Sequence, residues 1–393
     1  INQLLANTLT GAERALYQLN KWTEAETYFA AELNELARMK TGMCSGQGFG
    51  RLLTPWRRLK LAARLVALLI QADLYKADVM KRAEERDRGA VRRLARSKWS
   101  ALLRLLRHPR TQSTVSFLVL PDRTLVARAG WRSIDFAIRR VTRLQLRELL
   151  SEYHKAVQAE ETTRAAAVLR TLSDALQMPE LLRTLPAHVR TITFVPDDIL
   201  HGLPFAALTY ETDERPANAD TARSAKYLAE DFTITVSYEW LPTMGRRARA
   251  RTALTVSVPH GTQELAPLPW ADNERRKVLA WLTKMGVEAV DLPEPDKREL
   301  LRRLPEARFF HIACHGQFRP DAPTESGLVL VSAQGAASLI SLRELAQLDL
   351  SCMDLAVLSS CWSADNFILP GRWIISLSET FWRAGARTVL SSL

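Results

Sequence analysis

The sequence predicts an α/β protein with a largely parallel sheet flanked by helices, preceded by an α-helical N-terminal region. Three observations carry this. From Thr191 onward, short apolar runs alternate with helix-length amphipathic segments. Residues 1–110 keep helical spacing, with few Gly or Pro apart from a break at 41–55. The chain of 393 residues is 47% hydrophobic and 25% charged, a globular composition with length for two or three domains.

The helical region comes first. Within Leu19–Leu33, Trp22, Ala25 and Phe29 fall at aromatic, small and aromatic packing positions. The small Ala25 lets two helices approach closely. This stretch resembles part of a tetratricopeptide repeat; the alternative is a generic helical hairpin. One repeat cannot bury its own face, so several would stack. The chain opens on Ile1, so a fragment with further repeats ahead of it is expected.

Charge is unevenly placed. The net charge is +11, and residues 81–110 hold eleven Lys or Arg against three acids. The plain reading is a solvated face with Leu94, Trp99, Leu102, Leu103 and Leu106 turned inward. The alternative is a surface for nucleic acid or an acidic protein.

After Pro109 the pattern changes. Thr114–Leu120 and Thr124–Ala129 flank a Pro-Asp turn and predict a hairpin. Ser133–Gln177 reads as helical. Strands are predicted over Thr191–Val195, Phe232–Tyr238, Ala253–Val258, Ala289–Leu292, Phe309–His315, Gly327–Val331, Leu355–Ser360 and Arg387–Leu393. Helices are predicted over 271–285, 296–303, 341–348 and 372–384. Polar Glu214–Ala225, with Pro216, reads as a surface loop. The domain boundary is therefore set at 110/111, with a hairpin and helices over 111–184 and a core over 185–393.

Several classes are excluded. Cys44, Cys314, Cys352 and Cys361 show no CxxC spacing, which argues against a zinc site and a disulfide framework. No cofactor and no metal is called for. A reducing cytoplasm is the simpler setting. The longest apolar run, Leu59–Ile70, is interrupted by Lys60 and Arg64, so no membrane span or secretory leader is expected.

Two segments carry chemistry. Phe309–Gly316 is an apolar strand ending on His315 and Gly316; Leu355–Cys361 is an apolar strand ending on Cys361. In open parallel sheets, ligands sit beyond the carboxyl ends of the strands, so two such ends can face one cleft. A Cys/His pair needs that geometry. An imidazole raises the thiolate fraction and later protonates the leaving amine. Gly316, with no side chain, can bring its N–H close to a substrate carbonyl and, with the Cys361 N–H, form an oxyanion hole. The plain alternative is a small buried Cys and a structural His.

These two segments, with Phe194–Leu208 upstream (Phe-Val-Pro-Asp-Asp-Ile-Leu-His-Gly-Leu-Pro-Phe-Ala-Ala-Leu), together resemble a CHAT domain. A helix running into Trp382-Arg-Ala-Gly-Ala-Arg-Thr-Val-Leu390 resembles that family's final helix, small-Gly-Ala turn and strand. The resemblance covers about 110–393 and implies a caspase fold, related to separase and the gingipains and often attached to tetratricopeptide repeats. It implies a cysteine endopeptidase with His315 and Cys361 as the dyad and Gly316 as oxyanion donor. It also implies a protein substrate and a protein partner met through the N-terminal helices. Two departures stand out. Trp362-Ser-Ala-Asp365 follows the Cys where the family has a small polar turn. The chain also stops at Leu393, short of a Trp-x-Val-x-Asp segment, so the pocket beside the dyad is expected to be truncated.

Other residues rank below the pair. Alternation points Cys314 to the opposite face from His315, into the core. His311 is expected to pack, and His201 to brace the turn after its strand. Asp197 and Asp198 are read as turn residues, with contact to a basic substrate as the alternative. Cys44 and Cys352 carry no chemical context. Two other functions stay open: a catalytically silent caspase-fold scaffold, and a peptidase subunit of an RNA-guided defence complex, for which the basic 81–110 stretch is the support.

Overall fold

The computed structural model describes residues 23, 25–39, parts of 61–69, 109–131, 133–210, 226–238, 252–293, 295–319, 322–360, 367–369 and 373–391. The chain divides into two compact units, 1–242 with 370–373, and 243–369 with 374–393. The 81–108 part of the basic stretch, Trp22, Cys44 and Cys361 lie outside the described residues.

In the first unit, strands β1 (Gln112–Val119), β2 (Thr124–Gly130) and β3 (Ser133–Arg139) form an antiparallel meander. Helices α1 (Arg143–Gln158), α2 (Thr162–Ala175) and α3 (Met178–Arg183) lead to β4 (Thr191–Val195), which pairs parallel to β1. Short strands β5 (Thr209–Tyr210) and β6 (Lys226–Tyr227) and the turn of helix α4 (Leu228–Asp231) precede β7 (Thr233–Val236), parallel to β4. The sheet order is β3-β2-β1-β4-β7.

Helices cover both faces of this sheet. On one, Leu146 and Leu150 of α1 and Val168, Leu169 and Leu172 of α2 bury against Val115, Phe117, Ile192 and Phe194. On the other, Phe29, Leu33 and Leu36 of the helix over 25–39 pack with Leu65, Val66, Leu68 and Leu69 against Leu118, Leu120, Leu125 and Ala127. The α1 start is fixed by a reciprocal cap. Thr142 Oγ1 accepts from Gln145 N at 3.1 Å, and Gln145 Oε1 accepts from Thr142 N at 2.9 Å.

One expectation fails here. Residues 133–139 are a strand and not the start of a helix. Phe136 is buried and Ile134 and Ile138 pack beside it, an alternation of period two that pairs β3 with β2, Phe136 opposite Ala127.

The second unit holds a five-stranded, all-parallel sheet of order β17-β14-β10-β8-β9. Its elements run β8 (Ala253–Ser257), α5 (Ala271–Lys284), β9 (Ala289–Pro293), α6 (Lys297–Arg303), β10 (Phe309–Ala313), β11 (His315–Gln317), β12 (Gly327–Val331), β13 (Ala337–Ser341), α7 (Leu342–Leu345) and β14 (Leu355–Ser359). Short strands β15 (Phe367–Leu369) and β16 (Trp373–Ile375), helix α8 (Leu377–Arg383) and β17 (Val389–Ser391) follow. Strands β11, β12 and β13 form a separate antiparallel sheet.

The two faces of the parallel sheet differ. Leu254, Val256, Phe310, Ile312, Ala356 and Leu358 share one face by register and are all buried. Phe310 stacks there on Phe381 of α8, ring centroids 5.8 Å apart. The other face carries Thr255, Ser257, His311, Ser359 and Asp291, beneath α5. Gly385 ends α8 at φ +119°, and a Cβ there would lie 2.7 Å from Ser351 N. Only glycine meets both demands, which accounts for the Ala-Gly-Ala turn before β17.

Candidate active site

Strand β10 occupies the middle of the parallel sheet, between β14 and β8. Its last residue, Ala313, pairs with Ser359 of β14 and Ser257 of β8. Cys314 N donates to Ser359 O at 3.2 Å, the final link before the chain leaves the sheet. Thus β10 stops two residues short of the expected strand end. His315 opens β11 instead, opposite Val329 of β12, and Gly316 sits opposite Leu328. The cause is competition for backbone partners: beyond Ala313 the antiparallel β12 edge takes over from the parallel neighbours.

His315 is half-buried, and its Nε2 lies 2.6 Å from Ala266 O. A carbonyl oxygen only accepts, so Nε2 carries the proton. In the neutral ring Nδ1 is then the proton acceptor.

Four residues back, at the centre of β10, His311 is 4% exposed and its Nε2 donates to Glu274 Oε1 at 2.8 Å. Its Nδ1 has no hydrogen-bond partner among the described residues. Ser359 Oγ donates to the same Glu274 oxygen at 2.5 Å. One carboxylate on α5 thus bridges the middle of β10 and the carboxyl end of β14. Burial raises the Glu274 carboxyl, but the bonds from Ser359 and His311 outweigh it and hold the group below its ordinary value.

One helix position on, Arg275 is buried and reaches Ser257 Oγ at 3.0 Å, Asp272 Oδ1 at 2.7 Å and Asp291. Burial alone would lower the guanidinium; its bonds to Asp291 and Asp272 outweigh this and keep it charged. The Arg275 bond holds the Asp272 carboxyl below the ordinary carboxylate range. The layer under α5 is therefore ionic and hydrogen-bonded, with His311 Nδ1 left without a partner among the described residues.

Cys314 is buried at 2% exposure, on the face away from His311. Cys352 is a half-buried free thiol. His201 is buried and stacks on Tyr238, centroids 5.9 Å apart. Asp197 and Asp198 are buried in the first unit, where they are not available to a substrate. Asp197 Oδ2 accepts from Val119 N at 2.7 Å, and Asp198 pairs with Arg143 at 2.6 Å. Phe29 and Ala25 pack against a sheet face.

Ala266, Glu274 and Arg275 were not among the predicted site residues. Ala266 acts through its backbone, and its side chain carries no signal. Glu274 and Arg275 lie on a highly charged amphipathic helix, where ionic residues read as solvent-facing. The only sequence clue was the run of Thr255, Ser257, His311 and Ser359, polar residues inside otherwise apolar strands.

Among the described residues no group of acids, His or Cys is placed to hold a metal ion, and no helix is long and apolar enough to cross a membrane. A search of curated proteins returns no match. The tetratricopeptide likeness of Leu19–Leu33 gains no support from these comparisons. A family model for the CHAT domain matches residues 166–393, more than half of the sequence. The end of β10 with His315-Gly316 just beyond it, its parallel neighbour β14 ending at Ser359 and the Gly385 turn into β17 all fall inside that match, and the chain belongs to the CHAT domain family, a caspase-like peptidase family.

Proposed function

We propose that the protein is a cysteine endopeptidase that cleaves a partner protein with Cys361 as nucleophile and His315 as acid and base. The observation that carries this is the pairing of Ala313 with Ser359. His315 follows the first by two residues, and Cys361 follows the second by two. A Cys and a His that each follow one of two paired strand ends by two residues suit a nucleophile and its base, which supports the reading.

The chemistry runs through the atom that Ala266 leaves free. His315 Nδ1 takes the thiol proton from Cys361, and the thiolate attacks the scissile carbonyl carbon. The resulting oxyanion accepts from the N–H groups of Gly316 and Cys361. The imidazolium returns its proton to the leaving amine as the C–N bond breaks. Water, deprotonated by the same nitrogen, then hydrolyses the thioester and restores the thiol. A reducing compartment keeps the thiol usable. The N-terminal helices recruit or regulate the partner.

The test is N-terminal labelling of a proteome or of co-expressed candidate partners. New N-termini are expected with the wild-type chain and none with Cys361→Ala or His315→Ala. Termini that persist in both variants would sink the assignment.

A further inference from the structure

We infer that Gly261 is a positioning residue for His315, acting through the Ala266 carbonyl; the inference rests on the dyad reading above. The segment after β8 folds back on itself. Val258 N donates to Ala313 O at 2.9 Å, which anchors the segment to the end of β10, and Leu268 N closes it by donating to Pro259 O at 2.9 Å. Inside this closure Thr262 N donates to Leu265 O at 2.9 Å. Thr262 Oγ1 accepts in return from Glu264 N at 3.1 Å and Leu265 N at 3.0 Å.

The fold-back brings Leu265–Pro267 against Gly261 more closely than any side chain allows. A Cβ at Gly261 would lie 2.3 Å from Leu265 O, 2.7 Å from Pro267 N and 2.9 Å from Ala266 C. All three are backbone atoms, so no rotamer change relieves the clash. Pro267 holds Ala266 extended, so Leu265–Pro267 must move as a piece. The Ala266 oxygen moves with it, and that oxygen holds His315 Nε2 at 2.6 Å.

The consequence is chemical. While the contact stands, the ring proton stays on Nε2 and the imidazolium formed during catalysis keeps a carbonyl acceptor. When the carbonyl withdraws, the ring samples the other tautomer, in which Nδ1 already carries a proton and cannot take one from the thiol. The missing Cβ therefore selects the competent tautomer at a distance of two contacts.

The experiment uses iodoacetamide at neutral pH, reading alkylation of the Cys361 and Cys352 peptides by mass spectrometry, alongside ¹⁵N spectra of the His315 ring. Gly261→Ala is expected to slow Cys361 alkylation by about tenfold, the loss of one hydrogen bond to a charged group. Cys352 should keep its rate, and the His315 ring should gain an Nδ1–H population. Wild-type Cys361 rates and an unmoved tautomer in Gly261→Ala, while His315→Ala is slow, would overturn the inference. An unchanged rate in His315→Ala would instead overturn the dyad reading. If Gly261→Ala does not fold, Thr262→Val carries the test: it removes the hydroxyl that ties Glu264 and Leu265 without adding a Cβ at 261. It should give a smaller shift in the same direction, and no shift overturns the inference.

Discussion

Removing the Glu274 carboxylate should loosen the middle of β10 and the carboxyl end of β14 together. Its Oε1 accepts from His311 Nε2, 2.8 Å away on a ring that is 4% exposed, and also from Ser359 Oγ at 2.5 Å. A hydrogen bond to a charged group contributes about 1.5–3 kcal/mol. The Glu274 side chain is 43% exposed, so water screens part of this. Taking the low end of that range for each bond gives a loss of about 3 kcal/mol in Glu274→Ala. Glu274→Gln keeps an oxygen acceptor without the charge and should lose about 1 kcal/mol.

The pH dependence follows from the depressed Glu274 value. The stabilisation is fully present above 4.5, the ordinary value of the group, and is lost as pH falls through its lower folded value. The gap between wild type and Glu274→Ala should therefore hold at neutral pH and close as pH falls through the lowered folded value. Amide exchange across Phe309–Ala313 and Leu355–Ser359 is the suitable assay, since a chain of two compact units need not unfold in one step. Equal protection in wild type and Glu274→Ala, or a gap that widens as the solution is acidified, would refute the reasoning.

Other substitutions separate packing from backbone effects. Phe310→Ala, at a ring 1% exposed and stacked on Phe381, should cost about 3–5 kcal/mol by denaturant titration, and Phe310→Leu clearly less. Gly385→Ala meets both the +119° φ and a 2.7 Å contact to Ser351 N, so it should cost at least about 2 kcal/mol and lower the thermal midpoint. Asp197→Ala leaves the Val119 N–H without the acceptor it holds at 2.7 Å and should cost about 1–3 kcal/mol, read in the first unit alone.

How legible each part was in the sequence follows from what kind of contact decides it. The three central strands of the parallel sheet appear as largely apolar runs, so Ala253–Ser257, Phe309–Ala313 and Leu355–Ser359 were all within the predicted spans. β3 was missed because its alternation of Ile134, Phe136 and Ile138 is short and is followed directly by genuine helix from Arg143. The predicted helix over 372–384 begins only at Leu377, where Ser376 Oγ accepts from Glu379 N at 3.0 Å; the three residues before that cap form β16. The break between β10 and β11 was not legible, because which neighbour claims the backbone past Ala313 depends on β12, remote in sequence. A backbone acceptor such as Ala266 O leaves no mark in the residue type at all.

The polar face under α5 has a structural logic that bears on the site. A sheet of parallel strands usually presents apolar residues to the helices on both sides. Here Thr255, Ser257, His311 and Ser359 face α5, and each is bonded to Glu274, Arg275, Asp272 or Asp291. Such a layer is no more stabilising than a well-packed apolar one would be. It is far more particular about register. A slip of β10 or β14 by one residue would turn Ile312 or Leu358 toward the Glu274 carboxylate and strand its buried partners, whereas an apolar layer would accept the slip with a modest repacking. The bonded residues His311 and Ser359 lie close before the points from which the chain runs on to His315 and Cys361. A polar layer there fixes the relative advance of the two strands, which is the quantity that the proposed pairing of His315 with Cys361 requires to be constant.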